Sequence, residues 1–258
     1  MAIDYLLEVG CEPQRALGVD ELVALSRTRI IARSALAHMR DEGDERAPNE
    51  IEVQLTMRQP TGDSARGVTL QDLINETRPL DAHTPACASC PAKLGHELGC
   101  HRRIRYPISE ASEAWLMSRL PATLGCTAGA LLVRALGEFG WDGEPTAKLR
   151  ASGTTFFTSR APYGVRWQGD DGVIEISSDQ VFQMMFMVGH LAPAHSLMLA
   201  LFTGAIPHDT SLHALQDKRT LETATVPVET DPELEQMAAF LRMLVVAARH
   251  DATIRIDG

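Results

Sequence analysis

The sequence predicts a helix-rich α+β fold in a single domain over residues 1–258, with a small mixed or antiparallel sheet. Hydrophobic residues make up 45% of the chain and charged residues 22%, which is typical of a folded globular protein. Candidate strands and helices both occur along the chain. They do not alternate regularly, and the glycine fingerprint of a dinucleotide-binding fold is absent from the sequence. A length of 258 residues is near the upper limit for one hydrophobic core.

In the first half of the chain, hydrophobic periodicity predicts two strands and two helices. Residues 3–9 form an apolar run, and residues 51–57 alternate between apolar and polar side chains, as in a half-buried strand. Asp20 is expected to cap a helix that ends near Met39. The remaining features are a turn-rich stretch at 60–67 and a short helix whose start is framed by Thr69 and Asp72.

The second half is expected to be mainly helical and to end in a strand. Asp231, Pro232 and Glu233 combine an N-cap, a proline at the first helical position and an acid at the positive end of the helix dipole. A helix should therefore start there and reach about His250. The other predicted elements are helices at 109–120 and 124–139, a hairpin at 165–177 and a closing strand at 253–256.

The segment 180–207 contains no Asp, Glu, Lys or Arg and is long enough to span a bilayer. Gly189 and Pro193 would nevertheless break a single helix near its middle. We therefore expect two shorter helices that are buried in the core and meet at residues 190–193. Met184, Met185, Met187 and Met198 are expected to pack in that core rather than to line a partner groove.

The main chemical signal is a cluster of thiols and imidazoles at residues 87–101. Cys87 and Cys90 form a Cys-x-x-Cys pair, Cys100 supplies a third thiol, and His96 lies four residues before Cys100. A two-residue gap lets two sulfurs face one ion, and thiolate and imidazole ligands complete the tetrahedron of a structural zinc site. The sequence therefore predicts zinc held by Cys87, Cys90, His96 and Cys100 in a metal-binding loop at 79–107.

The order Cys-x2-Cys-x5-His-x3-Cys resembles the zinc knuckle of retroviral nucleocapsid-type proteins, although the histidine stands one residue later here. The aromatic residues that stack on bases in that family are absent, so RNA binding is not carried over. An iron–sulfur cluster is the alternative, suggested by Cys90-Pro91, with Cys11 or Cys126 as its fourth thiolate. His101 and His83 are further candidates for the fourth ligand of zinc.

Motifs that would make the metal catalytic are missing from the sequence. The cytidine-deaminase-type signature requires a His-x-Glu element upstream of the cysteines, and the zincin motif His-Glu-x-x-His is interrupted because Cys100 follows Gly99. We therefore expect a closed structural site and no catalytic residues. His190, His195, His208 and His213 are expected to be core or helix-end histidines, and Cys126 a buried thiol.

Charge narrows the possible partners. The net charge of −10 argues against non-specific binding to nucleic acid or to anionic membranes, because the overall field repels phosphates. Near the cysteines, four basic residues against Glu97 give a local formal charge of +3; they are Lys93, Arg102, Arg103 and Arg105. The N-terminal residues lack the basic start of a secretory signal, so a cytoplasmic location is expected.

The leading hypothesis is a non-enzymatic cytoplasmic zinc-site protein that acts as an adaptor or regulatory subunit and binds another protein. The first alternative is an iron–sulfur or metal-dependent enzyme or redox protein. The second is nucleic-acid binding through the basic metal loop.

Overall fold

The computed structural model describes residues 2–59, 62–93, 98–169, 172–218, 221 and 225–257. The chain forms two compact units. One comprises Gly10–Gly99, and the other comprises Met1–Val9 together with Cys100–Gly258. Helices dominate both, and the sheets are antiparallel, which confirms the helix-rich α+β class.

The unit Gly10–Gly99 packs helices against a two-stranded sheet. Its core contains Ala32, Ile51, Leu70 and Leu73. Its helices are α1 (Glu12–Leu17), α2 (Val19–Asp41), α3 (Leu70–Glu76) and α4 (Pro79–His83), with 3-10 helices at Pro48–Glu50 and Thr84–Ser89. Its strands are β2 (Glu52–Gln59) and β3 (Gly62–Thr69).

The strand predicted at 51–57 is confirmed, but the turn predicted at 60–67 is wrong. β3 occupies most of that range and pairs with β2 in a continuous antiparallel register, from Glu52 opposite Thr69 to Gln59 opposite Gly62. Glycine and serine in β3 have poor strand propensity, so its conformation is imposed by the partner strand. Pro60 and Thr61 lie outside the described residues.

One of the two helix starts predicted in this unit is confirmed, and the other is wrong. Thr69 and Asp72 do form a capping box, in which the Thr69 hydroxyl accepts from the Asp72 N–H at 3.1 Å. The N-cap of α2, however, is Gly18 rather than Asp20. Asp20 instead lies in the first turn, where its charge favours the positive end of the helix dipole.

The other unit is built around a four-stranded antiparallel sheet in the order β4-β1-β8-β7. Its strands are β1 (Ala2–Glu8), β4 (His101–Arg105), β7 (His190–Leu191) and β8 (Thr253–Asp257). Tyr5 lies opposite Arg102 on one side and Ile256 on the other. The Tyr5 ring meets the Phe240 ring edge-on at 5.0 Å, so the long helix α11 (Pro232–Arg249) covers this face of the sheet.

The remaining elements of this unit follow the predicted order. They are α5 (Glu110–Ser118), α6 (Thr127–Phe139), α7 (Glu144–Ala151), the hairpin of β5 (Gly164–Gly169) and β6 (Gly172–Ser177), α8 (Ser178–Phe186), α9 (Pro193–Phe202) and α10 (Leu212–Gln216). The start of α11 at Asp231 is confirmed, and the Asp231 carboxylate accepts from the Glu233 N–H at 2.8 Å. Helices α7 and α10 were not predicted.

The uncharged segment 180–207 forms the two helices that the sequence predicts. α8 and α9 flank β7. Met184 and Met185 are buried, which confirms their core packing, and Met198 is half-buried. The prediction is wrong for Met187, which is 37% exposed because it lies just beyond the end of α8. Among the residues described, no helix is both long enough and apolar enough to cross a membrane.

Residues 79–107 do not form only the ordered loop that the sequence predicts. They contain α4, the 3-10 helix Thr84–Ser89 and the whole of β4. β4 has the sequence His-Arg-Arg-Ile-Arg, in which only Ile104 is apolar, so its local signal for a strand is weak. Its pairing with β1 decides its conformation.

Candidate functional site

Cys87 and Cys90 share a single turn at the end of the 3-10 helix Thr84–Ser89. The Cys90 N–H donates to the Cys87 carbonyl at 3.2 Å, and the Lys93 N–H donates to the Cys90 carbonyl at 3.0 Å. Cys87 is buried and Cys90 is half-buried. A turn of this length brings two thiols to one side of the backbone, as a Cys-x-x-Cys metal site requires.

Burial and hydrogen bonding shift the pKa of the Cys90 thiol in opposite directions. Burial raises the pKa of Cys90, a hydrogen bond from the backbone N–H of Ala92 lowers it, and the charge of Cys11 raises it further. The net direction is upward. An N–H group directed at a cysteine sulfur stabilises the thiolate, which is the form that binds metal.

Gly99 packs closely against the backbone of Ala92 and Lys93, which follow this turn. A side chain at position 99 would overlap the carbonyl oxygen of Lys93 and would come within 2.6 Å of the Ala92 carbonyl oxygen. Glycine is therefore required here, because its backbone lies against the backbone at the start of the same segment. Gly99 therefore lies next to Lys93, and the predicted ligand His96, which stands between them in the sequence, lies outside the described residues.

Cys100 belongs to the unit that contains the four-stranded sheet. It is buried, and its carbonyl accepts from the Leu7 N–H at 2.9 Å, which extends the ladder between β1 and β4. His101 is opposite Leu6 in the same ladder. Neighbouring residues of a strand point to opposite faces of the sheet, so Cys100 and His101 cannot direct their side chains at one ion.

His101 is bound within the sheet. Its Nε2 lies 3.0 Å from Oδ1 of Asp4, and both side chains are buried. Arg103, opposite Asp4, approaches the same carboxylate at 3.4 Å. Arg103 therefore supplies a positive charge beside a buried aspartate, and the His101 ring is hydrogen-bonded to the same carboxylate.

Two other candidates for the fourth ligand also have structural partners. His83 Nδ1 lies 2.7 Å from Oε1 of Glu12. Cys126 caps α6: its sulfur accepts from the Gly129 N–H at 3.4 Å and donates to the Thr123 carbonyl at 3.3 Å.

Cys11 differs from Cys126, although each is the N-cap residue of a helix. The Cys11 side chain makes no capping hydrogen bond. All five cysteines are reduced, and within the described ranges no three His, Cys, Asp or Glu side chains are already arranged as a metal-binding group.

The basic residues predicted to surround the cysteines do not form one surface on β4. Arg103 and Arg105 lie on the face that carries His101, whereas Arg102 lies on the opposite face with Tyr5. Burial lowers the pKa of Arg102. The positive charges that are adjacent in the sequence are therefore divided between the two faces of the sheet.

His190 and His195 lie on different elements of the structure. His190 lies on β7 and is exposed, whereas His195 lies on α9 and its ring stacks on that of Trp141 at 5.4 Å. Burial lowers the pKa of His195, and the nearby charge of His190 lowers it further. Burial also lowers the pKa of His208.

A cleft of about 660 Å³ lies beside β4 and the start of α11. Several of its polar groups already bond to one another or to backbone. The Ser109 hydroxyl donates to that of Ser112 at 3.0 Å, the Thr158 hydroxyl accepts from the Glu110 N–H at 2.9 Å, and Asp231 caps α11. These polar groups therefore stabilise the walls of the cleft.

Comparison with family models, with curated proteins and with solved structures finds no match for this chain.

Proposed function

We propose that the protein is a non-enzymatic cytoplasmic adaptor or regulatory subunit in which Cys87, Cys90, His96 and Cys100 hold a structural zinc ion. The observation that carries this proposal is the turn between Cys87 and Cys90, with the Ala92 N–H directed at the Cys90 sulfur. Thiolates are the preferred ligands of structural zinc, and iron–sulfur clusters use the same donors.

A structural role is favoured over a catalytic one. Structural zinc sites have four protein ligands and no open position, whereas catalytic zinc keeps one position for water or substrate. His83, His101 and Cys126 are engaged in hydrogen bonds that hold their own elements. Zinc would instead contribute free energy to folding, because the ligands are scattered in the unfolded chain.

An aromatic stack supports the protein-binding part of the proposal. The Phe139 side chain at the end of α6 is 58% exposed, and its ring stacks on Trp141 at 5.0 Å. Trp141 in turn stacks on His195. Large aromatic side chains that are held rigid and partly exposed contribute strongly to protein interfaces at a low cost in side-chain entropy.

Metal analysis and the visible spectrum of anaerobically purified full-length protein test the zinc site. We expect about one zinc per chain and no visible absorption, because Zn²⁺ has a filled d shell. Cys90→Ser should lower both the zinc content and the thermal midpoint, whereas Cys126→Ser should keep the zinc. Stoichiometric iron with visible absorption would favour the iron–sulfur alternative, and unchanged metal content in Cys90→Ser would refute the site.

Site-specific photocrosslinking in the producing cells tests the protein contact. A crosslinker at position 139 should capture a discrete protein, whereas one at the equally apolar and 77% exposed Val228 should not. Equal patterns at both positions would contradict a contact through the aromatic stack. Strongly salt-dependent nucleic-acid binding that is lost when Arg102, Arg103 and Arg105 are neutralised would support the nucleic-acid alternative instead.

A further inference from the structure

We propose that the cleft beside β4 and the start of α11 binds a short zwitterionic peptide, with the peptide's ammonium group at Glu233, its carboxylate at Arg105 and an apolar side chain between them. The inference does not depend on the metal site. All residues that line the cleft belong to the unit that comprises Met1–Val9 and Cys100–Gly258. The cleft volume of about 660 Å³ is within the range of sites for small ligands.

The cleft lies at the outer edge of the four-stranded sheet. β4 is the terminal strand of that sheet, and β1 is the strand that it pairs with among the described residues. At its other edge, the Arg105 N–H donates to Oε1 of Gln236 at 2.7 Å, and both residues line the cleft. Side chains from both faces of a strand border such an edge, so Ile104 and Arg105 line the same cleft. An extended peptide is the kind of ligand that follows a strand edge.

Opposite charges line the cleft without neutralising each other. Within the part of the chain that the structure describes, neither the Arg105 guanidinium nor the Glu233 carboxylate forms an ion pair, and both side chains are exposed. The Glu233 N–H donates to the capping carboxylate of Asp231, but the Glu233 carboxylate is not part of that cap. A ligand that carries both a carboxylate and an ammonium group is complementary to this arrangement, whereas a singly charged ligand would meet a like charge.

Tyr106 adds a hydrogen-bond donor to the lining of the cleft. Its side chain is half-buried, its ring meets that of Phe156 edge-on at 5.0 Å, and its hydroxyl has no hydrogen-bond partner among the residues described. Burial raises the pKa of Tyr106 to about 12, so the hydroxyl keeps its proton at neutral pH. The backbone carbonyls of a peptide are acceptors for this donor.

The rest of the lining combines a rigid polar wall with an apolar surface. The Gln236 amide is held at both ends, because its Nε2 also donates to the Pro232 carbonyl at 3.1 Å. Three largely buried apolar side chains line the cleft as well, and they are Ile104, Ile108 and Met237. An apolar surface with a few fixed polar groups is typical of a ligand site, and here it favours a peptide with an apolar side chain.

Isothermal titration of the full-length protein with trileucine tests the proposal. We expect saturable binding with a dissociation constant below about 1 mM. Trileucine with an acetylated N-terminus lacks the ammonium group, and trileucine amide lacks the carboxylate. Each should bind about 5-fold more weakly than trileucine, as expected for the loss of one exposed ion pair.

Substitutions in the cleft assign each end of the peptide to its residue. Glu233→Gln should weaken trileucine binding by about 5-fold and leave the affinity for the acetylated peptide unchanged, and Arg105→Gln should do the same with respect to the amide. Both variants should fold normally, because the two side chains are exposed. Tyr106→Phe should weaken the binding of all three peptides by about 2- to 10-fold, since one hydrogen bond is lost.

Arg166→Gln and Glu175→Gln are the matched controls, because they change the same charges in an exposed pair on the hairpin of β5 and β6. Both should bind trileucine as the unmodified protein does. The proposal is overturned if trileucine shows no saturable binding, if the two blocked peptides bind as tightly as trileucine, or if the control variants weaken binding as much as the cleft variants. Free leucine that binds as tightly as trileucine would overturn the assignment of a peptide.

Discussion

The guanidinium of Arg150 forms two parallel hydrogen bonds with the carboxylate of Glu113, from Nη1 to Oε1 at 2.9 Å and from Nη2 to Oε2 at 2.7 Å. Both side chains are almost fully buried, and Asp179 also accepts from Arg150, at 2.8 Å. The Ser178 hydroxyl donates to Glu113 at 2.8 Å, and the Arg150 Cζ lies 4.1 Å from the centre of the Phe157 ring. Burial alone lowers the pKa of Arg150, but its hydrogen bonds to Glu113 and Asp179 outweigh burial and raise that pKa.

Arg150→Ala is expected to lower the free energy of unfolding by about 3–5 kcal/mol, because it leaves two buried carboxylates without their cation. Urea denaturation measures the change. Arg134→Ala is the control, since Arg134 pairs with Glu138 on the exposed surface of α6 and its loss should cost below about 1 kcal/mol. Equal effects of the two substitutions would contradict the role assigned to the buried network.

Two glycines in α6 should respond to alanine in opposite ways. A Cβ atom at Gly129 would come within 2.6 Å of the Leu124 backbone and 2.7 Å of the Thr123 carbonyl, so Gly129→Ala should destabilise the protein by about 1–3 kcal/mol. At Gly137 nothing lies within 4 Å of the added atom, and Gly137→Ala should stabilise the helix by about 0.5–1 kcal/mol. Thermal unfolding of the two variants decides the sign of each effect.

Stability should fall as the pH drops below the ordinary histidine pKa of about 6.5. Burial lowers the pKa of His195 and of His208 in the folded state, so the unfolded chain takes up protons first on acidification. This contribution is complete above pH 6.5 and is lost as the pH falls towards the lowered pKa.

His195→Phe keeps the stack on Trp141 and removes the titrating group. The denaturation midpoint of this variant should therefore vary less between pH 7.5 and 5.5 than that of the unmodified protein. The midpoints are measured at intervals of about half a pH unit around the histidine range. His208 should leave a residual slope. The same substitution at the exposed His213 should leave the pH dependence as it is in the unmodified protein. A slope that His195→Phe does not change would rule out His195 as a source of the acid sensitivity.

If the proposed zinc site is correct, removal of the zinc should loosen the cysteine turn before the rest of the fold. After chelation, we expect faster hydrogen exchange at the amides of Cys90 and Lys93, which donate within the turn. Mass-spectrometric exchange with and without a chelator measures this change. Amides in the centre of α11 serve as the internal reference, and a uniform increase across both regions would instead indicate global destabilisation.

The sequence by itself determined the features that depend on neighbouring residues. The alternation at 51–57 predicted β2, and Asp231, Pro232 and Glu233 predicted the start of α11, because strand periodicity and helix capping act over a few residues. The turn between Cys87 and Cys90 also follows from local spacing. Gly189 and Pro193 correctly divided the uncharged segment into α8 and α9.

Only the tertiary structure decided the features that depend on partners distant in sequence. β3 and β4 lack a local strand signal and exist because β2 and β1 supply their hydrogen bonds. Arg150, Glu113 and Asp179 have no recognisable spacing, since their contacts arise from the packing of three separate helices. The contact between Glu12 of α1 and His83 of α4 likewise depends on long-range packing, which local patterns do not encode.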